Sequence, residues 1–221
     1  MSTADDFLLI ATDPETGKAM FGAPKSDPVL GGAFLFDLVA AGRLALEGQG
    51  RKARVVVADP APVDNPVVER AFARVRNKGR LTPQNSVSKL GSQSKKVLYD
   101  ALVASGTLRR RPAKALGIFP LTRYDIVDTT RRDDLRTRIH ASLVHAQPAD
   151  SETGPLIGLL SAADLTKIVV DKPDRKKAKA RAKVLAEGDW ASEGVRKAIK
   201  AAQAAMSGAI AAGTAATVAS S

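Results

Sequence analysis

The chain has 221 residues, 44% of them hydrophobic but only 4% aromatic, and no cysteine. That size suits one large domain with a core filled mainly by Leu, Val, Ile and Ala, and the missing cysteines exclude disulfides, thiolate metal sites and thiol chemistry. A net charge of +11 and a pI near 10.1 favour an anionic partner, either nucleic acid or an anionic membrane face.

Met1 to Asp6 is polar and acidic, without the basic start and apolar run of a secretory signal. No run of about 18 apolar residues occurs, so no bilayer span is expected and the expected address is cytoplasmic. Phe7–Ala11 is a short apolar run, and Asp13-Pro14-Glu15-Thr16-Gly17 reads as a turn. A helix follows. Ser26 or Asp27 caps it, Pro28 takes its first position, and Gly42 stops it. Leu30, Phe34, Leu38 and Ala41 form its apolar face. Arg43–Leu46 and Val55–Val57 read as a small hairpin. Asn65-Pro66 opens a second helix that Gly79 ends. Thr82-Pro83 opens a third to about Leu90, and Ser92 or Ser94 a fourth that stops at Gly106.

Thr107–Arg111 and Ala115–Leu121 predict a second hairpin turning around Pro112-Ala113-Lys114, basic on one arm and apolar on the other. The apolar arm reads either as core or as a projection that touches a membrane or another subunit. Asp133 and Asp134 suit the first turn of a helix carrying Leu135, Ile139 and Leu143. Gln147–Gly154 reads as a linker. Pro155–Val170 reads as the central buried helix, with Asp164 a candidate break. Arg175–Glu187 reads as a basic helix. The last helix runs from near Ser192 to about Met206. The domain is thus expected over residues 1–206, with a frayed Ala/Gly/Ser-rich tail over 207–221.

No P-loop, dinucleotide fingerprint or Gly-x-Ser-x-Gly motif occurs. His140 and His145, five apart on a helix, are expected to point in different directions. The neighbouring pairs Asp5-Asp6 and Asp133-Asp134 do not face each other on a helix. No catalytic residue, metal ligand or cofactor is nominated, and an enzyme is not expected. Two basic clusters remain. Lys89, Lys95 and Lys96 with Arg109, Arg110 and Arg111 form the first, and Lys172–Lys183 the second. Each is either a solvated face or a footprint on phosphate. Nucleic-acid binding would use the same charges but usually adds aromatic platforms, which are scarce here.

The order of segments resembles the Golgi phosphoprotein 3 family. Leu8-Leu9-Ile10 comes first, then Glu15–Lys18, then the stretch Leu30–Glu47 with its Ala-Gly-Arg-Leu-Ala-Leu end. Ala101–Leu108, the hairpin with Phe119-Pro120-Leu121-Thr122, and Leu156–Ala163 follow in the same order. The resemblance covers roughly residues 7–206, and high Ala, Arg and Val usage points to a bacterial, actinobacterial member. It implies a mostly α-helical single domain with a projecting β-hairpin. It also implies a peripheral membrane adaptor that holds the headgroup of phosphatidylinositol 4-phosphate and links this lipid to membrane-protein cargo, without catalysis. The family's headgroup positions align with Gly22, Gly31, Ser92 and Lys95, of which Lys95 keeps the charge. The lipid-headgroup residues expected on this reading are Lys95, Lys96, Arg109, Arg110 and Arg111. Leu116, Ile118 and Phe119 would touch the membrane from the hairpin. A basic nucleic-acid-binding protein, or a scaffold that self-associates through the hairpin, are the alternative readings.

Overall fold

The computed structural model describes residues 1–115, 119–187 and 193–219. Helices dominate these residues, and the strands form two separate antiparallel pairs. This is the mostly α architecture with a hairpin that the segment order implied.

Helix α1 (Thr3–Ile10) begins in the segment read as a polar terminus. Ser2 caps it: its Oγ accepts from the Asp5 N–H at 3.2 Å, and the Asp5 carboxylate accepts from the Ser2 N–H at 2.9 Å. Residues Ala4 to Ile10 are all buried, so α1 is a core element and not an arm.

Helix α2 (Ala23–Ala40) starts earlier than expected. Gly22 is its N-cap, Pro24 takes the first-turn position, and Pro28 lies inside the helix. Two prolines four apart fit because the first turn has no intrahelical N–H bonds to lose, which limits the cost to the Pro28 site. Val29 to Phe36 are buried on every side, so the single apolar face read from Leu30, Phe34 and Leu38 is only part of its contact surface. Gly42 stops the helix at φ +69°, with the Arg43 N–H reaching the Leu38 carbonyl and the Gly42 N–H the Val39 carbonyl. β1 (Leu44–Glu47) and β2 (Arg54–Val57) then pair in the register Leu44↔Val57 to Glu47↔Arg54, as the sequence indicated.

α3 (Pro66–Ala73) is capped by Asn65, whose Oδ1 accepts from the Val67 and Val68 N–H groups. It stops short of Gly79; turns bridge the interval. α4 (Pro83–Gly91) is capped by Thr82, and α5 (Ser94–Ala104) follows after Gln93, which adopts a left-handed φ of 54°. Helices α2 and α4 cross at Gly31 and Gly91. A Cβ on Gly31 would fall under 3.0 Å from the Val87 carbonyl oxygen, and one on Gly91 equally close to that of Asp27. Only glycine permits this backbone-to-backbone approach.

β3 (Leu108–Ala115) pairs with β4 (Phe119–Ile126) from Leu108↔Ile126 to Ala115↔Phe119. The expected turn at Pro112-Ala113-Lys114 is therefore corrected, since those residues continue the strand and pair with Thr122, Leu121 and Pro120. Leu116 and Ile118 lie outside the described residues, and Phe119 opens β4. Past the apolar stretch expected to end at Leu121, β4 continues through Arg123 and Asp125.

α6 (Thr130–Val144) and α7 (Thr153–Ala162) complete the inner layer. Thr153 to Leu160 of α7 are buried, but the expected long helix to Val170 ends at Ala162. Asp164 adopts φ 53° there and breaks it, and a short 3-10 turn (Thr166–Ile168) follows. The centre of the fold is α2, which touches α1, α3, α4, α5, α7 and the last helix, α9 (Glu193–Ala219). The expected end of that helix near Met206 is corrected, since it continues to Ala219. The basic helix α8 (Arg175–Leu185) packs on α6 and α7.

An ion network binds three elements. Arg131 on α6 donates through Nε and Nη2 to both carboxylate oxygens of Asp6, at 3.1 and 2.7 Å, and also to Glu152 at 2.5 Å. Arg138 joins Glu152 to Asp150 ahead of α7. Burial raises the Asp6 carboxyl, and the Arg131 bonds oppose that rise. Of the two histidines, His145 sits past the end of α6. Its ring therefore folds back to 5.5 Å from that of His140, and the pair do not diverge as expected.

Candidate functional site

A cationic concavity lies between the α1–α2 connection, α3, α5 and the second hairpin. Asp13 shapes its first wall by accepting from the Glu15 and Thr16 N–H groups, and Thr12 pairs with Ala19 as a bridge. Gly17, at φ +63°, lies against β4, and the Tyr124 N–H donates to its carbonyl at 3.1 Å. A Cβ at Gly17 would come within 2.9 Å of the Tyr124 backbone, so this turn needs glycine twice over. The turn holds Lys18 at the mouth of the groove.

Phe21 forms the floor. It is 6% exposed and meets Phe7 edge-on at 5.4 Å between ring centres. The Lys95 ammonium, from the first turn of α5, stands 5.0 Å from the Phe21 ring centre. Burial pushes its pKa down from the usual lysine value, and the charge of Asp27 offsets part of that. Tyr99 and Tyr124 stack at 4.0 Å and fasten α5 to the hairpin, and Tyr99 shares a hydrogen bond of 3.1 Å with Thr12.

The groove has a volume of about 880 Å³. Its walls carry Lys18, Arg70, Lys95, Lys96 and Arg123 against one carboxylate, Asp100. That carboxylate is already occupied. Lys96 donates to it at 2.7 Å and Arg110 pairs with it from β3, and these bonds hold its pKa below the ordinary aspartate value. Lys18, Arg70, Lys95 and Arg123 line the groove, and none has a carboxylate inside ion-pair distance among the described residues. Cations lining a groove with an aromatic floor can take a multiply charged anion of small-molecule size.

The structure divides the five headgroup candidates. Lys95 and Lys96 line the groove, and Arg110 reaches its edge through Asp100. Arg109 and Arg111, one residue to either side of Arg110, lie on the other strand face, which Arg123 shares as the register partner of Arg111, and Arg111 also donates to the Thr16 carbonyl at 3.4 Å in the turn before Gly17. Both lie within ion-pair distance of Asp125, at 3.7 and 2.9 Å. Of the aligned family positions, Gly31 is buried at the α2–α4 crossing and has no access to the groove, while Gly22 caps α2 and Ser92 caps α4. The first cluster's Lys89 lies in the last turn of α4. Lys18 and Arg123 escaped the sequence reading because each stands without a basic neighbour in its segment, and Arg70 because its segment was read only as a helix. The one available signal was the pairing of strand and turn that brings residue 18 beside residue 123.

No helix among the described residues is long and apolar enough to cross a membrane. A comparison with curated proteins finds no match. The profile of the family described as Golgi phosphoprotein 3 (GPP34) matches residues 4–202. That span contains the whole groove, both hairpins and the α2–α4 crossing, and the chain belongs to the Golgi phosphoprotein 3 family.

Proposed function

We propose that this protein is a peripheral membrane adaptor that docks on anionic lipid and holds a phosphorylated headgroup in the Lys95 groove. One observation carries the reading: five cations against a single, already paired carboxylate around a groove of about 880 Å³. Family membership supports a lipid-binding, non-enzymatic adaptor role, with phosphatidylinositol 4-phosphate as the headgroup to test first. The cation set is not the one the family alignment supplies. Lys18, Arg70 and Arg123 stand beside Lys95 from other elements, so the same chemistry is assembled from different positions. The exposed arginines of β3 add general attraction to an anionic surface, worth roughly 1 kcal/mol for each charge near the membrane.

The adaptor's second ligand would be a membrane-protein cargo, and the hairpin remains the surface through which copies of the chain would associate. No catalytic step is part of this role. Co-sedimentation with phosphatidylcholine vesicles, with and without phosphatidylinositol 4-phosphate, tests the reading. Wild type should sediment only with the charged vesicles, and R70E/K95E should sediment several-fold less. Equal sedimentation of both proteins would refute the groove as the site.

A further inference from the structure

The basic helix α8 takes no part in the groove. Ala178 and Ala182, one turn apart, are fully buried and set one side of the helix against α6 and α7. Lys176, Lys179 and Lys183 all lie on the exposed side. At 3.6 residues per turn they fall within an arc of roughly 60° and cover about 10 Å of helix length. Lys172 and Arg175 are exposed just before them. From Lys172 to Lys183 the chain has seven basic residues and one acidic residue, Asp174.

A face charged only for solubility would resemble α6, where Arg131, Arg132 and Arg138 all meet carboxylates. On α8 only Lys179 does so among the described residues, meeting Asp164 at 2.7 Å. Lys177 instead donates to the Val144 carbonyl. Lys172, Arg175, Lys176 and Lys183 are left exposed, while Arg181 is partly buried.

The shape of this face selects the partner. It is a convex helix side and not a channel, and residues 165–187 contain no aromatic on which a base could stack. Lysines supply point charges that do not demand a fixed acceptor geometry, as mobile lipid headgroups require. Val184, 50% exposed, borders the stripe, and an apolar residue among lysines is an interfacial pattern. Helices α1 and α2 both touch α5 and α7, so they stand between the groove's α5 and the layer that carries α8.

We infer that the outer face of α8 is a second docking surface for an anionic bilayer, so that one molecule bridges two membrane surfaces. The inference rests on the groove being the first membrane site. The test uses the full chain with vesicles of phosphatidylcholine, phosphatidylserine and phosphatidylinositol 4-phosphate. Sedimentation reads binding, and dynamic light scattering reads clustering. Wild type should bind and cluster the vesicles. K172E/K176E/K183E should still bind but lose clustering, as should the milder K176S/K183S, with circular dichroism confirming that both fold.

Wild type that binds without clustering overturns the inference and leaves the groove reading intact. Clustering that persists in both variants assigns the bridging to self-association and also overturns it. No binding by wild type removes both readings. Tighter binding of a labelled DNA duplex than of vesicles at the same salt, lost in the α8 variants, would assign the face to nucleic acid and overturn the bilayer.

Discussion

Asp37 lies on α2 where α1 docks. Its Oδ1 accepts from the Thr3 N–H at 3.1 Å and from the Thr3 hydroxyl at 2.6 Å. Its Oδ2 is buried and has no hydrogen-bond partner among the described residues. Burial pushes this carboxyl from 3.8 up to about 6, with Asp5 and Asp6 adding to the rise and the two Thr3 bonds opposing it. The folded state therefore keeps a proton that the unfolded chain releases. Stability from this group falls as pH rises from about 4 to about 6, and the full cost is present above that range. At 1.36 kcal/mol per decade, the cost is about 3 kcal/mol above pH 7 and about 1 kcal/mol at pH 4.5. Asp37→Asn keeps an acceptor for Thr3 and removes the charge, while an unpaired amide N–H where Oδ2 stood returns about 1 kcal/mol of cost. The variant should be about 2 kcal/mol more stable than wild type at pH 7.5 and nearly equal to it at pH 4.5. Urea denaturation followed by circular dichroism at the two pH values measures this. A variant less stable at pH 7.5, or a difference that does not change with pH, would refute the reasoning.

Three further outcomes follow from the packing and the ion pairs. Gly91→Ala forces a Cβ into the Asp27 carbonyl, a backbone contact that no rotamer relieves, and should lower stability by about 3 kcal/mol in the same denaturation assay. Arg131→Ala strands Asp6, whose side chain is 5% exposed, and should cost about 2 kcal/mol; Arg131 is itself 36% exposed, which keeps the loss below that of a fully buried pair. Asp125→Asn frees Arg109 and Arg111 from their shared carboxylate and should tighten binding to anionic vesicles about fivefold at low salt, with the gain lost at high salt.

Local chemistry was readable wherever one residue decides a local conformation. Asn65-Pro66 and Thr82-Pro83 opened helices because a side-chain acceptor and a fixed φ act within one turn. Asp164 interrupted its apolar run through a backbone state confined to that residue. Longer-range effects were not readable. Asp5 and Asp6 read as part of a polar, acidic segment, yet a capping serine two residues into the chain and an arginine on α6 let them enter the core. Pro28 mimicked a helix start because Pro24 had already provided one. The hairpin's reach depended on the pairing of Pro112–Ala115 with β4, which the proline disguised as a turn. The groove shows the same limit. Its lysine pair on α5 was visible as a cluster, but Arg70 and Arg123 reach it only through tertiary packing, and the acids that occupy Arg110 and Arg111 are matched to them by strand register and helix placement.

The central claim is that Lys18, Arg70, Lys95 and Arg123 form one phosphate-binding site. Calorimetric titration of the full chain with the water-soluble headgroup of phosphatidylinositol 4-phosphate tests it without any bilayer. Saturable binding at one site per chain, abolished by Lys95→Glu and unaffected by Lys176→Glu on α8, is the expected result. Binding that does not saturate, or that survives Lys95→Glu, would contradict the account.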